Sequence, residues 1–301
     1  MADAGLPGPP ESAARTRAIR IACYAVLSLV WGSTYLAMRF ALETLPLFFL
    51  ASARFVVAGA LLFGIAAARA SPMPTARQWG HSTVVGAFLL IGGNAAVLWA
   101  LRYVASGTAA LIIALTPLWL AVLSRARPTR ALVVGIALGL AGVATLVAPS
   151  LLAHDGATDP LAAGVLMLSS LSWAVGSLIA RKGGPPSGLV AAAAQMLAAG
   201  ALLLALSLGA GEVADLAIAE VSWRSWLSLA YLSILGSLVG YSAYGWLLRH
   251  DTPERASTFA YVNPVVAVLL GALLADEPVT PNVLAAGALI VVGVALIVRR
   301  R

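Results

Sequence analysis

The sequence predicts an all-α integral membrane protein in which ten transmembrane helices form two inverted copies of a five-helix unit. Three features support this fold: the composition, a series of apolar runs and an internal repeat. Of the 301 residues, 61% are hydrophobic and 10% are charged, whereas a soluble domain is about 45–50% apolar and about 25% charged. So few charges could not cover such an apolar surface in water. A lipid bilayer is therefore the expected environment.

The net charge of +7 does not indicate nucleic-acid binding, because the arginines form short groups between apolar runs rather than one basic face. The single cysteine, Cys23, excludes an internal disulfide and a CxxC motif. The sequence has no GxxxxGK[ST], HExxH or GxSxG motif, and its three histidines lie far apart. We therefore expect no cofactor, no metal site and no catalytic centre.

Ten apolar runs of membrane-spanning length follow one another between polar or turn-forming segments. The helices are predicted near residues 20–38, 47–68, 80–100, 106–124, 131–149, 160–180, 188–208, 225–247, 256–274 and 281–298. We divide the chain into a disordered cytoplasmic tail at 1–19, a first five-helix repeat at 20–149 and a second at 160–298. The first run lacks a small-residue cleavage site, so we expect a retained helix rather than a signal peptide.

The positions of lysine and arginine predict an orientation in the membrane. With both termini in the cytoplasm, most of the 19 basic residues fall on the cytoplasmic side, including the groups at 15–20, 125–130 and 299–301. Most acidic residues, among them Glu43 and Glu277, then fall outside. Ten helices are consistent with both termini on one side.

Matching segments occur in the same order in the two halves of the chain. The matched pairs are Trp31/Arg39 with Trp173/Arg181, RFVVAGALL at 54–62 with QMLAAGALL at 195–203, WALR at 99–102 with WLLR at 246–249, Thr116-Pro117 with Asn263-Pro264, and GVATLV at 142–147 with GVALIV at 293–298. Because five is odd, the second copy must enter the membrane from the opposite side. Inverted repeats are typical of secondary transporters, whose substrate sites lie near the membrane midplane between the repeats.

Several segments resemble the EamA-type members of the drug/metabolite transporter superfamily. They are WGSTYLAMR at 31–39, ARF at 53–55, SGTAALIIALTPLWLAVLS at 106–124, SSLSWAVGS at 169–177 and ASTFAYVNPVVAVLLGALLADEP at 256–278. The resemblance covers about residues 20–298, and its YVNPVVAVLLG stretch is typical of the bacterial inner-membrane branch. It implies a ten-helix carrier that exports or takes up small metabolites, often amino acids or amphipathic compounds.

The chain departs from that family at one turn. The first repeat of the family usually carries a Gly-Glu-Arg-like turn after its fourth helix, where this chain has SRARPTR at 124–130. The second repeat keeps an acidic turn, ADEP, which contains Glu277. Any coupling role for an acidic turn on the inner side is therefore in doubt.

Arg54 is the leading candidate for substrate binding. It lies about eight residues into the second helix, or about 10–12 Å deep, where a charge normally faces a cavity or a partner. We expect it to hold a substrate carboxylate or another anion. The alternative is that it snorkels outward or pairs with Glu43. Its repeat counterpart is the neutral Gln195.

Pro117 and Pro264 interrupt equivalent helices of the two repeats. Each removes a backbone hydrogen bond, and paired breaks indicate the binding region and its gating elements. Thr116 and Asn263 precede them and offer hydrogen bonds at the same depth. A packing kink is the alternative interpretation, and both interpretations can hold.

Eight further residues, one amide and seven aromatic side chains, are candidates for the substrate-binding cavity. They are Trp31, Tyr35, Asn94, Trp99, Trp173, Tyr241, Tyr244 and Tyr261. The aromatic residues could stack on an aromatic or amphipathic substrate, although core packing is the alternative for each. Asn94 requires a hydrogen-bond partner within an apolar helix.

These features predict a secondary active or exchange-type transporter of small organic metabolites that works by alternating access, with export as the expected direction. Uptake, or translocation of a lipid-linked substrate, is the alternative within transport. A membrane-embedded enzyme and a non-transporting sensor are alternatives from other classes. The expected partners are a small-molecule substrate and the lipid bilayer, with no nucleic acid. GIALG at 135–139 has GxxxG spacing, which leaves a homodimer open.

Overall fold

The computed structural model describes residues 10–124, 129–153, 158–182, 188–256 and 258–298. Within these ranges the chain forms helices joined by turns, without a strand. Some of the residues discussed above lie outside the described ranges: the first part of the predicted tail and the arginines at positions 125, 127 and 299–301.

The described part of the chain contains ten long helices joined by turns. They are α1 (Ala14–Ala41), α2 (Leu47–Ala68), α3 (Ala76–Ala100), α4 (Ser106–Leu123), α5 (Arg130–Leu152), α6 (Pro160–Ala180), α7 (Gly188–Gly209), α8 (Trp223–His250), α9 (Thr258–Ala275) and α10 (Pro281–Val298). Among the described residues, α1 to α9 are long and apolar enough to cross a membrane, and α10 is apolar but shorter. The predicted ten-helix fold is confirmed.

The N-terminal segment is more helical than its composition indicates. The helix that continues into α1 begins at Pro10, so residues 10–19, which the sequence assigns to a disordered tail, are helical. Proline is tolerated in the first turn of a helix, and the alanines and arginines that follow it are strong helix formers. The apolar, membrane-length part of this helix begins at Ala14.

Contacts between helix ends distinguish the two ends of the bundle. Tyr24 of α1 donates to Asp251 Oδ2 (3.1 Å) and to the carbonyl oxygen of Arg255 (2.9 Å). The beginning of α1, the end of α8 and the segment before α9 therefore meet at one end, called here the terminal end. At the opposite, far end, Arg39 near the end of α1 forms an ion pair with Glu277, just after α9.

Helix packing follows the repeat. Counterpart helices contact each other in three pairs: α2 with α7, α4 with α9 and α5 with α10. Helix α1 packs on α8 and α9, while its counterpart α6 packs on α3 and α4. Exchanging the two repeats leaves this pattern unchanged, as expected for two intertwined inverted units.

Glycines allow the counterpart helices to approach closely. A Cβ on Gly59 of α2 would lie 3.0 Å from the backbone nitrogen of Leu197 in α7, and a Cβ on Gly293 of α10 would lie 2.6 Å from the carbonyl oxygen of Gly135 in α5. Gly139 packs against Leu118 of α4. Both glycines of the GxxxG segment thus pack inside the chain, and a homodimer stays a prediction.

Two carboxylates of the second repeat hold helix N-termini of the first repeat at the far end. Glu212 accepts from the backbone amides of Phe48 (3.2 Å) and Phe49 (2.8 Å) at the start of α2. Glu277 accepts from the amides of Ser106 (2.9 Å) and Gly107 (3.2 Å) at the start of α4. Negative charge is favourable at these positions, because the helix dipole and the unpaired amides both attract it. The two repeats are therefore tied together at this end.

Candidate functional site

Stretches of π-helix position three polar or aromatic side chains near the middle of the bundle. They occupy Leu27–Trp31 in α1, Ala87–Ala95 in α3 and Leu232–Val239 in α8. Trp31, Asn94 and Ser237 all belong to these stretches. A π-helical turn changes the direction of the side chains that follow it and is frequent at functional sites.

Helices α4 and α9 are both discontinuous where the sequence predicts breaks. In α4 a turn at residues 114–115 separates Ser106–Ile113 from Thr116–Leu123. In α9 a 3₁₀ turn at Thr258–Tyr261 precedes the α-helix Asn263–Ala275. Each proline thus lies in the first turn of a new helical segment, where its missing N–H costs little.

The polar residues beside the prolines donate to backbone carbonyl oxygens near the breaks. Thr116 Oγ1 donates to the carbonyl oxygen of Ile113 (2.7 Å). With the amide orientation that its neighbours require, Asn263 donates to the carbonyl oxygens of Ser28 (3.0 Å), Phe259 (3.1 Å) and Leu27 (3.2 Å). Asn263 therefore links the break in α9 to the π-helical turn of α1.

A central cavity lies between the two repeats. Its atom-free space, including the open space at its mouth, is about 640 Å³. Its lining comes from both repeats and comprises Trp31, Thr34, Tyr35, Met38, Arg54, Gly93, Asn94, Val97, Ala110, Ile113, Ala114, Thr116, Trp173, Tyr241, Phe259, Ala260 and Asn263. Arg54 is the only charged residue among the described residues that line it.

Arg54 is held by a chain of hydrogen bonds that crosses the repeat interface. Its Nε donates to Ser237 Oγ (2.7 Å) and its Nη1 to Asn94 Oδ1 (2.9 Å). Asn94 Nδ2 donates in turn to Tyr241 Oη (3.0 Å). These bonds fix the guanidinium at the wall of the cavity, and they satisfy the amide group of Asn94.

The charge of Arg54 is not neutralised by a carboxylate within the described residues. Its side chain is buried, at 2% exposure, and its Nη2 makes no hydrogen bond within the same part of the chain. Glu43, the alternative partner, lies 3.4 Å from Arg224 instead. A buried cation without a counter-charge is costly. The cavity can therefore stabilise an anion.

Five aromatic side chains, called here the aromatic cluster, close the terminal side of the cavity. The indole of Trp31 contacts the rings of Trp173 (5.4 Å), Tyr241 (5.3 Å), Tyr244 (5.4 Å) and Phe259 (5.0 Å) between centroids. Its Nε1 donates to the carbonyl oxygen of Gly236 (2.9 Å). The cluster combines residues of α1, α6, α8 and α9.

The structure brings most of the candidate residues to one place. Eight of them line the central cavity: Trp31, Tyr35, Arg54, Asn94, Thr116, Trp173, Tyr241 and Asn263. Tyr244 belongs to the aromatic cluster and shares a hydrogen bond of 2.8 Å with Ser177.

Besides Tyr244, four candidates lie outside the cavity lining. Trp99 packs on Tyr103 near the far end of α3. Tyr261 donates to the carbonyl oxygen of Val294 in α10 (3.1 Å). Pro117 and Pro264 lie in the first turns of their helical segments and are not among the lining residues.

Sequence reasoning missed three polar or aromatic contributors to the site, Thr34, Ser237 and Phe259, besides the aliphatic residues of the lining. Ser237 could have been noticed as a hydroxyl deep in the apolar run of α8. Phe259 precedes the Asn263-Pro264 break by one helical turn, and that spacing was a usable signal. Nothing in the sequence distinguishes Thr34 from a hydroxyl that bonds within its own helix, and its Oγ1 does donate to the Trp31 carbonyl oxygen (2.7 Å).

Several known proteins similar to this chain are named as transporters or exporters. Residues 19–148 and 161–299 match the model of the EamA-like transporter family. An uncharacterised inner membrane transporter of Escherichia coli, YedA, is 38% identical over 255 residues, covering 83% of this chain and 81% of its own. A probable terminal-alkyne amino-acid exporter of Streptantibioticus cattleyicolor is 28% identical over 281 residues, or 91% of this chain and 92% of its own.

A probable amino-acid metabolite efflux pump of Salmonella typhimurium is 26% identical over 278 residues, covering 88% of this chain and 90% of its own. A solved crystal structure with 22% sequence identity aligns with a TM-score of 0.66 over 93% of this chain and 97% of its own. That likeness concerns the fold.

Proposed function

This chain belongs to the EamA-like transporter family, and from that premise we propose that it exports a small organic metabolite with a carboxylate or similar anionic group. The chain is a multi-pass membrane protein, and its family and relatives are transporters, not enzymes. Two of those relatives are named as a probable exporter and a probable efflux pump. Their names support export and an amino-acid-like substrate here.

The observation that carries the proposal is the buried, unneutralised guanidinium of Arg54. Its Nε and Nη1 are engaged by Ser237 and Asn94, which leaves Nη2 available to an anion in the cavity. An arginine bound in this way is pre-oriented, so a carboxylate that enters loses little free energy to reorganisation of the site.

The other residues of the cavity lining indicate what kind of substrate body fits beside the anionic group. Apart from Arg54, the cavity offers apolar and aromatic surface with a few hydroxyl and amide groups. A compact solute with one anionic end and an apolar body fits this distribution better than a sugar or a polyanion, since neither matches a single charge among apolar walls.

Alternating access is the mechanism that we propose for this carrier. The repeats meet along α2–α7, α4–α9 and α5–α10, and rocking of one against the other would expose the cavity to each side in turn. The terminal end faces the cytoplasm in this proposal, in the bacterial inner membrane. Since no carboxylate lines the cavity within the part of the chain that the structure describes, exchange or solute-coupled transport is as consistent with the site as proton antiport.

Efflux from proteoliposomes tests the proposal. Vesicles loaded with a pooled mixture of amino acids and other small metabolites are compared by mass spectrometry, with and without a proton gradient. We expect selective loss of one or a few anionic solutes with the native chain and none with Arg54→Gln. Arg102→Gln, which removes an exposed arginine outside the cavity, should behave as the native chain does.

Two results would count against this account. Unchanged efflux by Arg54→Gln would make Arg54 a structural residue and move the substrate contacts to the aromatic cluster. A product that accumulates without net movement of any solute would support a membrane-embedded enzyme instead.

A further inference from the structure

A second cavity lies at the terminal end, on the other side of the aromatic cluster. It encloses about 820 Å³ of atom-free space, including its open mouth. Its polar lining comes from Arg181, Gln195, Tyr241, Tyr244 and Arg249, with small and apolar residues between them. Tyr241 lines both cavities, so the two are separated by little more than the aromatic cluster.

Among the described residues, this terminal cavity is lined by two cations and no carboxylate. Arg181 ends α6 and Arg249 lies in the last turn of α8, and neither forms an ion pair within the described residues. The adjoining residues 183–187 lie outside the described ranges, but their sequence, GGPPS, carries no charge. A cleft lined by one sign of charge concentrates ions of the opposite sign.

The repeat explains why Arg181 has no ion-pair partner among the described residues. Arg39, the counterpart of Arg181, is neutralised at the far end by Glu277 from the acidic turn after α9. The counterpart of that turn is SRARPTR at 124–130, which contains no acidic residue. At the position equivalent to the Arg39–Glu277 pair, the terminal end therefore has the cation, Arg181, but no acidic residue in the counterpart turn.

The position of Arg249 adds to the excess of positive charge at the terminal cavity. A Cβ on Gly188, the first residue of α7, would lie 2.6 Å from Nη2 and 2.7 Å from Nη1 of Arg249. The guanidinium therefore lies against the N-terminus of α7, where a cation is unfavourable. Arg249 is favourably placed at the C-terminus of its own helix, α8, but unfavourably placed at the N-terminus of α7. An anion bound between the guanidinium and the start of α7 would remove this conflict.

We propose that the terminal cavity is a second anion-binding site, in which Arg181 and Arg249 hold the carboxylate of the transported solute before it passes the aromatic cluster to Arg54. The identity of this ligand rests on the proposed function, whereas the existence of the site does not. The solute would thus meet one cationic site on each side of the aromatic cluster. A phosphate from an anionic lipid headgroup has similar chemistry, and the experiment separates the two sources.

A reporter cysteine tests the site without requiring transport. Gly245 lines the cavity, and a Cβ there would meet no atom within 4 Å. In a Cys23→Ser background, Gly245→Cys is labelled in vesicles of neutral phosphatidylcholine with a negatively charged sulfonatoethyl methanethiosulfonate and a positively charged trimethylammonium analogue. Gly80→Cys, also in open space and near the start of α3, corrects for the potential of the surface.

We expect the negative reagent to be favoured at Gly245→Cys by roughly tenfold over Gly80→Cys. Arg181→Gln with Arg249→Gln should abolish that preference, and Arg181→Lys with Arg249→Lys should keep it. Lys182→Gln with Arg255→Gln removes two nearby charges that do not line the cavity and should also keep it. If the preference for the negative reagent is the same with and without Arg181 and Arg249, the proposed anion-binding site is wrong.

Two further experiments determine whether the ligand is a lipid headgroup or the transported solute. If the preference disappears when phosphatidylglycerol is added, although Gly80→Cys is unaffected, a lipid headgroup occupies the site and the solute assignment is wrong. If the solute is the ligand, Arg181→Gln with Arg249→Gln should raise the concentration for half-maximal efflux from the terminal side by roughly tenfold. An unchanged half-maximal concentration would contradict that role. Arg54→Gln should leave the labelling preference intact, so failure of the proposed function and failure of this site are distinguishable.

Discussion

At the scale of single residues, Asn94 links the guanidinium of Arg54 to the phenol of Tyr241, and the proposed function depends on this link. It accepts from Arg54 Nη1 and donates to Tyr241 Oη, so one amide orients a group from α2 and a group from α8. Because all three side chains are buried, a change at Asn94 alters both the charge and the geometry that a substrate meets. Burial also makes these hydrogen bonds electrostatically stronger than they would be in water.

The substitution Asn94→Asp tests this role with an almost unchanged shape. A carboxylate beside the guanidinium would neutralise Arg54 internally, and the attraction between unit charges about 4 Å apart is about 4 kcal/mol at an effective dielectric constant of 20. We expect the half-maximal concentration for efflux of an anionic solute to rise by about 100-fold or more, with no loss of thermal stability. Asn282→Asp, an exposed site at the start of α10, is the matched control and should leave efflux unchanged.

Individual residues also mark the limits of prediction from sequence. Arg54, Asn94 and Tyr241 stand out because polar groups within apolar helices need partners. Their mutual contacts could not be derived, since they come from three helices and depend on π-helical turns that shift the facing of side chains. Trp99 and Tyr261 were chosen by the same criteria as Trp31 and Trp173. In a helix that is apolar all round, the sequence does not distinguish a lipid-facing aromatic ring from one that faces a cavity.

At the scale of helices, the counterpart pairs α2–α7 and α5–α10 make extensive contacts between the two repeats. The close approach of α2 and α7 depends on glycine, because a Cβ on Gly59 would lie 3.0 Å from backbone and side-chain atoms of Leu197. Gly64, one and a half turns further along α2, has no atom within 4 Å of such a Cβ.

Gly59→Leu should therefore destabilise the bundle, while Gly64→Leu should not. Overpacking a tight contact typically costs about 1–3 kcal/mol, and here the obstacle is partly backbone, which has little room to yield. The free energy of unfolding, measured by denaturant titration in mixed micelles, should fall for the first variant only. Equal losses for both would show that helix propensity, rather than the α2–α7 contact, decides stability.

Glu277 holds the start of α4 to the turn after α9, and its loss should be more severe than that of an exposed acid. Glu277→Ala would leave the amides of Ser106 and Gly107 and the guanidinium of Arg39 without their acceptor. Hydrogen bonds to charged groups contribute about 1.5–3 kcal/mol. We expect a fall in unfolding free energy of about 3 kcal/mol.

The control is Glu43→Ala, which breaks the half-exposed pair with Arg224. Exposed ion pairs contribute about 0–1 kcal/mol, so this variant should unfold close to the native chain in the same titration. A similar loss from both substitutions would mean that Glu277 acts only as a surface charge.

Helix number and the paired breaks followed from the sequence because apolar length and proline position are strong signals. The start of the first helix could not be predicted in the same way. Pro, Gly and Ala near the N-terminus predicted disorder, but the segment from Pro10 onward carries helix-forming alanines and arginines and is helical. Composition averaged over residues 1–14 concealed the change within that segment.

At the scale of the whole molecule, the two repeats place one cationic site on each side of an aromatic cluster and join the far ends of their helices through Glu212 and Glu277. The pseudo-twofold packing could be predicted from five ordered matches. The asymmetry could be predicted only in part: Gln195 in place of Arg54 was visible, but the pairing of Arg39 with Glu277 required the three-dimensional arrangement. Orientation in the membrane rests on the distribution of lysine and arginine.

Cysteine labelling in intact cells tests that orientation. In a Cys23→Ser background, an impermeant maleimide should label Ala217→Cys, in the far-end turn between α7 and α8, without permeabilisation. Met73→Cys, in the terminal-end turn between α2 and α3, should react only after the membrane is opened. The reverse pattern would place the terminal end outside and turn the proposed export into uptake.

The most direct test of the central claim compares one transported solute with its neutral carboxamide in the native chain and in Arg54→Gln. If the Arg54 guanidinium binds the carboxylate, the native chain should prefer the acid by about 100-fold, as sites built around a charged group discriminate by about 2–5 kcal/mol. The variant should lose most of that preference. Equal transport of acid and amide by the native chain, or an unchanged preference in Arg54→Gln, would contradict the claim.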